Sequence, residues 1–463
     1  MHEECGIFGL FALEGMAAPL VYQGLFALQH RGQESCGIAS NNLGQVQVYK
    51  DMGLVGEVFS EAVLDRLQGP VAIGHVRYAT TGESCRENAQ PLLSRYSKGV
   101  LSLAHNGNLT NTCALRQMLE QRGAIFQTTI DSEIIAYLIA RHRASCDSVE
   151  EAIARSMAQI RGAYSLLVMS RGKLMAVRDP LGIRPLCLGR INDSIVISSE
   201  SCALDAVGAT WIRDVEPGEI VIVDRHGIRS LRTHCGQMVR HCIFEYIYFA
   251  RPDSHMDGVS VLASRLAAGK LLARQHPVEA DLVFGVPDSG TDAALGYSMA
   301  SGIQYGKGLV KNNYVGRTFI KPTQQQREAA VRIKLNPVRE NLAGRKVVMV
   351  DDSIVRGTTS KHIVHMIKAA GATEVHVRIS APPFLWPCYF GTDIPSQDEL
   401  TARCHTLDEI RRNIGADSLG FLALDSLNDI LGTTGHPYCD ACFSGQYPLD
   451  VLQGAMPGAD ERT

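Results

Sequence analysis

Two short segments carry the side chains best suited to chemistry. Cys5 opens the run CGIFGL, where a thiol beside glycine leaves room for a small substrate. Far along the chain, Val347 to Ser360 reads VVMVDDSIVRGTTS: a hydrophobic strand ending in two carboxylates, then a Gly/Thr loop that opens a helix. A thiolate can attack an unreactive carbonyl if a base takes its proton and fixed donors receive the oxyanion. Loop N–H groups at a helix N-terminus attract phosphate, and Thr358, Thr359 and Ser360 add hydroxyl donors. The Gly-Lys-Ser/Thr of a Walker A loop is not in this segment. Asp351 and Asp352 would repel phosphate, which assigns them to sugar hydroxyls or to a metal carrying pyrophosphate; the plainer reading is a helix cap.

Alone, a cysteine near a chain start says little. Four further segments change that: LQHRGQESCGIAS at Leu28 to Ser40, GHVRYATTG at Gly74 to Gly82, HNGNLTN at His105 to Asn111, and DSEII at Asp131 to Ile135. In this order and spacing, the chain from Cys5 to about Val223 resembles the glutaminase domain of the N-terminal-nucleophile amidotransferases. The resemblance implies an αββα sandwich with Cys5 as nucleophile and with the Asn106 amide and the Gly107 N–H as oxyanion hole. It also implies that Arg77 grips glutamine's α-carboxylate and Asp131 its α-ammonium. If Cys5 is terminal, its own α-amine is the base, because an amine titrating at about 7.7–8.0 can exchange a proton with a thiol near 8.5. Met1 to Glu4 are then a propeptide (1–4), followed by a glutaminase domain over 5–235. His30, His75 and His105 lack ligand spacing and are read as structural.

The second half, 236–463, resembles the type I phosphoribosyltransferases. That implies a parallel-sheet domain in which Asp351 and Asp352 bind ribose hydroxyls and Mg²⁺. Arg356, Gly357, Thr358 and Thr359 would cradle a 5′-phosphate, and Ser289 of the PDSG turn would lie near the same metal. A basic stretch with Lys307, Lys311, Arg317, Lys321, Arg327, Arg332 and Lys334 surrounds Gln324, Gln325 and Gln326. A charge run is usually a solvated face; the resemblance suggests a loop that closes over pyrophosphate.

Together the two resemblances imply an enzyme that frees ammonia from glutamine and adds it to C1 of phosphoribosyl pyrophosphate, the first step of purine synthesis. Ammonia should pass internally. Purine nucleotide inhibition and a homotetramer come with the resemblance. Cys242, Cys388, Cys439 and Cys442 match the cluster-bearing branch of enzymes that pair these domains, which implies a [4Fe-4S] centre in a structural role. Four thiolates would equally satisfy zinc, and Cys235 and Cys404 are nearby competitors. Asparagine synthetase and the hexosamine-forming amidotransferase share the first half without the VVMVDDSIVRGTTS context. A regulatory sensor of phosphoribosyl pyrophosphate or nucleotides, with residual glutaminase activity, is the reading from a different class.

Positioning these residues requires two kinds of scaffold. Up to Val223, β-prone runs such as Val71 to His75, Tyr164 to Met169, Ser194 to Ser198 and Glu219 to Val223 alternate with glycine turns. Helical periodicity occupies Thr112 to Arg122 and Ser132 to Arg143. A polar, basic stretch at Arg225 to Arg240 marks the boundary. Beyond it, Asp281 to Val286, Thr291 to Ala300, Lys346 to Val350, Ser360 to Ala370 and Glu374 to Ile379 read as βα and βαβ units with a parallel sheet, whose strand ends bind ligands.

The chain of 463 residues balances 45 basic against 48 acidic side chains, which recommends neither nucleic acid nor an anionic membrane as a partner. The residues before the apolar stretch Gly6 to Leu20 include Glu3 and Glu4 rather than a basic run, against a signal peptide. Thirteen scattered cysteines fit a reducing cytoplasm, and Cys36, Cys113, Cys146, Cys187 and Cys202 read as inert core residues.

Overall fold

The computed structural model describes residues 5–78, 82–312, 314, 334–392, 396–432 and 436–451. Met1 to Glu4, Arg317, Lys321, Gln324, Gln325, Gln326, Arg327, Arg332 and the tail from Pro457 lie outside the described residues.

The run GIFGLF is apolar throughout because its strand, Gly6–Phe11, is buried on both faces. Phe8 and Leu10 point to the helix Ala18–Ala27, while Ile7 and Phe11 point into a second sheet. The helix comes so close that a Cβ at Gly24 would lie 2.4 Å from the Phe8 ring. Among the described residues the strand sits inside a seven-stranded sheet ordered Thr210–Asp214, Cys187–Ile191, Ser194–Ser198, Gly6–Phe11, Val71–Arg77, Ser35–Asn42, Gln45–Met52.

The facing six-stranded sheet runs Gly227–Leu231, Ile220–Asp224, Lys173–Arg178, Gly162–Ser170, Gly99–Leu109, Leu92–Tyr96. Leu167, Ala176 and Val221 meet the first sheet; their neighbours Leu166, Val168, Val177 and Ile222 meet the helices Ser132–Arg143 and Val149–Met157. Period-two alternation thus builds helix, sheet, sheet, helix. Truncating one of these fully buried Leu or Ile side chains to Ala would cost roughly 2–5 kcal/mol.

In the second half four parallel strands lie in the order Leu282–Gly285, Lys346–Asp351, Glu374–Ile379, Ser418–Phe421. Helices Thr291–Ser301, Thr358–Ala369 and Leu407–Ile414 make the crossovers. A one-turn π-helix, Glu245–Phe249, lies between the two sheet systems with its apolar side chains in the second core.

Helices Ala18–Ala27, Val149–Met157 and Ser201–Ala206 add to the two that periodicity picks out. Ser148 caps the middle one, its Oγ accepting from the Glu151 N–H at 3.1 Å. The boundary stretch also holds a strand: Gly227–Leu231 pairs with Ile220–Asp224, so the first sheet system continues to Leu231. Cys113 departs from the core reading. It is exposed on the helix Thr112–Glu120, whose buried stripe is Leu115 and Leu119.

Candidate active site

Cys5 immediately precedes the central strand, is buried, and directs its thiol to the Tyr78 carbonyl at 3.5 Å. Strand pairing brings in the next residue: Gly6 is opposite Val76, so Arg77, at the end of Val71–Arg77, lies beside Cys5. Arg77 is buried and donates to the Glu83 carbonyl at 3.2 Å. The strand Gly99–Leu109 packs across the sandwich against the Cys5 strand and carries Asn106 and Gly107.

Asn106 is 1% exposed, and its Nδ2 has no hydrogen-bond partner among the described residues. A buried unmatched donor costs about 1–3 kcal/mol, so the fold holds a donor whose acceptor is not part of the chain described. Gly107 has φ +145°, and a Cβ there would lie 2.1 Å from the Ala163 carbonyl oxygen; only glycine fits.

Asp131 stands at the start of the helix Ser132–Arg143. It accepts from the Leu109 N–H at 2.9 Å and lies 3.4 Å from His105 Nδ1. Burial pushes its carboxyl up, but His105 and these hydrogen bonds outweigh that and hold it below the usual range. His75 donates from Nε2 to the His105 carbonyl at 3.0 Å, and burial drives its pKa down to about 3, so it is a neutral ring. His30 bonds Glu200 at 2.8 Å.

A buried ion network beneath Cys5 is what motif reading missed. Arg31 donates from Nε to the Cys5 carbonyl at 3.0 Å, from Nη1 to Glu200 at 2.5 Å, and from Nη2 to Glu245 at 2.7 Å. Arg184 reaches the same Glu245 at 3.2 Å. Burial raises the Glu200 carboxyl, yet His30 and Arg31 more than reverse it; Arg31 and Arg184 do the same for Glu245. Its sequence signal was Glu245 itself, a carboxylate inside the apolar run CIFEYIYF. Lys50 is the other omission: it ties down the loop after Arg77 by donating to the Ala89 and Glu87 carbonyls at 2.5 and 3.2 Å, and burial lowers its pKa to about 8.

The second set gathers at the ends of two parallel strands. Asp351 closes Lys346–Asp351 and Asp352 follows it, both buried. Ser289 donates to Asp352 Oδ1 at 2.6 Å, and Ser353 donates to the other oxygen. Burial, then repulsion from Asp352, pushes the Asp351 carboxyl well above its usual range. Gly357, with φ +78°, turns the chain into the helix Thr358–Ala369, whose first residues Thr358 and Thr359 are exposed. Arg356 is exposed and pairs with Glu399. Lys311 pairs with Asp288 of the PDSG turn.

Cys242, Cys388, Cys439 and Cys442 line one cavity with Ile183, Phe244, Phe390 and Tyr447. Strands His241–Cys242 and Tyr438–Cys439 pair in parallel, with Cys242 opposite Cys439. Burial pushes the Cys439 thiol up to about 12 and the Cys442 thiol well above its ordinary value, with neighbouring thiols adding to both shifts. Among the described residues no three His, Cys, Asp or Glu groups are already drawn together at ligand spacing, so the four sulfurs share a cavity without being pulled in. Cys235 and Cys404 are not among its lining residues.

Comparison with known proteins matches residues 75–206 to the glutamine amidotransferase domain. The chain is 48% identical to the amidophosphoribosyltransferase of Bacillus subtilis over 98% of this chain and 96% of that one. It is 49% identical to that of Archaeoglobus fulgidus, covering 96% and 98%, and 50% identical to that of Synechocystis, covering 97% and 92%. Among solved structures, an allosteric regulatory enzyme of purine biosynthesis superposes with a TM-score of 0.91 at 48% identity, covering 98% of both chains. The Bacillus subtilis glutamine phosphoribosylpyrophosphate amidotransferase complexed with ADP and GMP gives 0.91 at 47%, covering 98% and 99%.

Proposed function

The chain belongs to the amidophosphoribosyltransferase family, and we propose that its two half-reactions are divided between Cys5 and the Asp351–Asp352 strand end. The overall reaction converts glutamine, phosphoribosyl pyrophosphate and water to phosphoribosylamine, pyrophosphate and glutamate, the first step of purine synthesis.

In the first half-reaction Cys5 attacks glutamine's amide carbon. Arg77 and Asp131 hold the α-carboxylate and α-ammonium, and the growing oxyanion takes the Asn106 Nδ2 and Gly107 N–H as donors. The buried, unmatched Asn106 donor carries this reading. For the α-amine of Cys5 to act as base, Met1 to Glu4 must be removed, since a peptide nitrogen cannot take the proton. We place the boundary of this glutaminase domain at 235/236.

In the second, Ser289, Asp351 and Asp352 are the residues that would hold Mg²⁺ with the ribose hydroxyls. They fit it: two buried carboxylates lie side by side, and neither makes an ion pair among the described residues. Mg²⁺ supplies charge neutralisation for departing pyrophosphate. The N–H groups and hydroxyls of Gly357, Thr358 and Thr359 face the 5′-phosphate, with Arg356 joining once it leaves Glu399. Ammonia then attacks C1.

The four cysteines fit a metal centre: they share an apolar cavity and their thiols repel one another as anions. A [4Fe-4S] cluster would be held there in a structural role, cross-linking the C-terminal segment to the linker. Thirteen free thiols fit a reducing cytoplasm. Among the described residues no helix is long and apolar enough to cross a membrane. The relative bound to ADP and GMP supports purine nucleotides as inhibitors, and a homotetramer is carried over from the resemblance.

Pyrophosphate and glutamate release, followed together with glutamine and then with ammonia as nitrogen donor, tests the division. Cys5→Ala should lose glutamine-dependent synthesis and keep the ammonia-dependent reaction; Asp351→Ala should lose both. Equal loss of both activities in Cys5→Ala would overturn it. Intact mass and iron analysis of anaerobically purified protein check the propeptide and the cluster.

A further inference from the structure

The segment around Cys388 touches both walls of the glutaminase centre. On one side the Asn108 side chain, next to Gly107, donates to the Tyr389 carbonyl at 3.0 Å. On the other, Arg184 donates from Nε and Nη2 to the Phe390 carbonyl at 3.2 and 2.7 Å. Between these anchors, a Cβ added at Gly391 would lie 3.4 Å from the Gly107 carbonyl carbon and 3.0 Å from Arg184 Nη2. Bare backbone therefore backs directly onto the oxyanion glycine.

Gly107 is thus clamped. The strand Gly162–Ser170 meets one side of it, where a Cβ would lie 2.1 Å from the Ala163 carbonyl oxygen, and Gly391 meets another. The clamp is tied back to the nucleophile, because Arg184 pairs with Glu245, and Arg31 bridges Glu245 to the Cys5 carbonyl. At its other end the segment carries Cys388, whose sulfur accepts from the Phe390 N–H at 3.4 Å. An oxyanion hole works only if its N–H vectors are fixed before the charge appears, and a displacement near 1 Å can cost about 100-fold. The Gly107 N–H lies in the Asn106–Gly107 peptide plane, and the clamp steadies that plane from the following side by holding Gly107 Cα and its carbonyl carbon.

We propose that the segment Cys388–Gly391, although it belongs to the second domain, is the scaffold of the oxyanion hole, and that Asn108 is the positioning residue that ties Gly107 to it. The proposal rests on the assignment of Asn106 and Gly107 as oxyanion donors. Asn108 does not touch glutamine; it acts through Gly107. The competing reading is that the Asn108–Tyr389 bond merely staples two domains, in which case its loss lowers both reactions alike.

The test uses the full-length enzyme with Asn108→Asp and Asn108→Leu. The first keeps the shape but sets an oxygen against the Tyr389 carbonyl; the second removes the polar group. Glutaminase kcat should fall about 10- to 100-fold in both, with KM for glutamine within about threefold. Ammonia-dependent synthesis and metal content per chain should match the parent, which also shows that the variants fold. Should Asn108→Leu fail to fold, Asn108→Asp alone decides. Parental glutaminase kcat in Asn108→Asp, or a proportional loss with both nitrogen donors, overturns the proposal. The underlying assignment fails separately, if Asn106→Ala retains full glutaminase activity.

Discussion

Replacing Asn106 by Ala sets stability against catalysis in a way few active-site changes do. In the free enzyme its Nδ2 is buried without a partner among the described residues, a state that costs about 1–3 kcal/mol. Truncation relieves that cost and forfeits about 1 kcal/mol of packing. The net change should lie between zero and about 2 kcal/mol of stabilisation, so the thermal midpoint of the variant should not fall. The same donor is engaged only when negative charge develops on the amide oxygen. Its removal should cost about 2.7–4 kcal/mol in the transition state, or 100- to 1,000-fold in kcat, with KM for glutamine nearly unchanged. Glutamate release measured over a range of glutamine concentrations reads both constants, and ammonia-dependent synthesis reports the untouched second site. A lower midpoint together with parallel loss of both activities would refute the reasoning, because Asn106 would then be a structural amide whose partner had been overlooked.

Gly290→Ala should abolish synthesis with either nitrogen donor while leaving glutaminase activity, since its Cβ would lie 2.4 Å from the Val350 carbonyl oxygen and force apart the strand ends that carry Ser289 and Asp351. The neutral, buried His75 makes the fold acid-sensitive. Its pKa falls to about 3 in the fold, so the unfolded chain binds the extra proton below its ordinary value near 6.5. Stability should be complete above that and decline by about 1.4 kcal/mol per pH unit toward 3, a slope that His75→Gln removes in denaturant titrations. Glu150 adds a lower window: hydrogen bonds from Arg229 and Lys173 overcome burial and bring its pKa down to about 2. That contribution is present above the ordinary value near 4.5 and lost as pH falls toward 2. It is worth about 1–2 kcal/mol once the half-exposed Arg229 is discounted for screening, and Glu150→Gln should flatten it.

The strands were legible where burial is two-sided or strictly alternating. Ser194–Ser198 and Glu374–Ile379 have the limits that pattern alone assigns, and Lys346–Asp351 runs one residue further because Asp351 still pairs with Ile379. The helix Ala18–Ala27 was hidden because its sequence APLVYQGLFA is apolar nearly all round, with Phe26 left exposed, and so shows no clean stripe. Gly227–Leu231 was hidden for the opposite reason: it is an edge strand with an exposed, polar face, which composition cannot tell from a linker. For the site, motifs named the groups proposed to touch substrate. They could not show that His105 lies against Asp131, or that Glu200 lies under Cys5, because those pairs are joined only by folding across 26 and 195 positions. Four cysteines 3 to 200 positions apart could be grouped only by resemblance; the shared cavity is a tertiary fact.

The π-helix between the two sheet systems is tied to both halves of the chain. The π-helix Glu245–Phe249 is held at both ends by arginines from different parts of the chain. At its first residue, Glu245 receives Arg31 and Arg184 from the glutaminase sheets, a charge placement that also suits a helix N-terminus. At its last turn, Arg265 donates to the carbonyls of Tyr246, Tyr248 and Ala250 at 3.0, 3.0 and 2.6 Å, satisfying acceptors that such a short helix leaves open. Arg265 also lies 3.6 Å from Asp292, on the helix that follows the PDSG turn. A lysine could not make those three bonds at once, because they need the planar fork of a guanidinium. Charge-assisted contacts therefore run from the Cys5 carbonyl through Arg31 to Glu245, the backbone of the π-helix carries the connection on to Arg265, and Arg265 lies near Asp292, three residues after Ser289. Removing Glu245 would take a carboxylate from two buried arginines, Arg31 and Arg184, at a cost of roughly 3–5 kcal/mol.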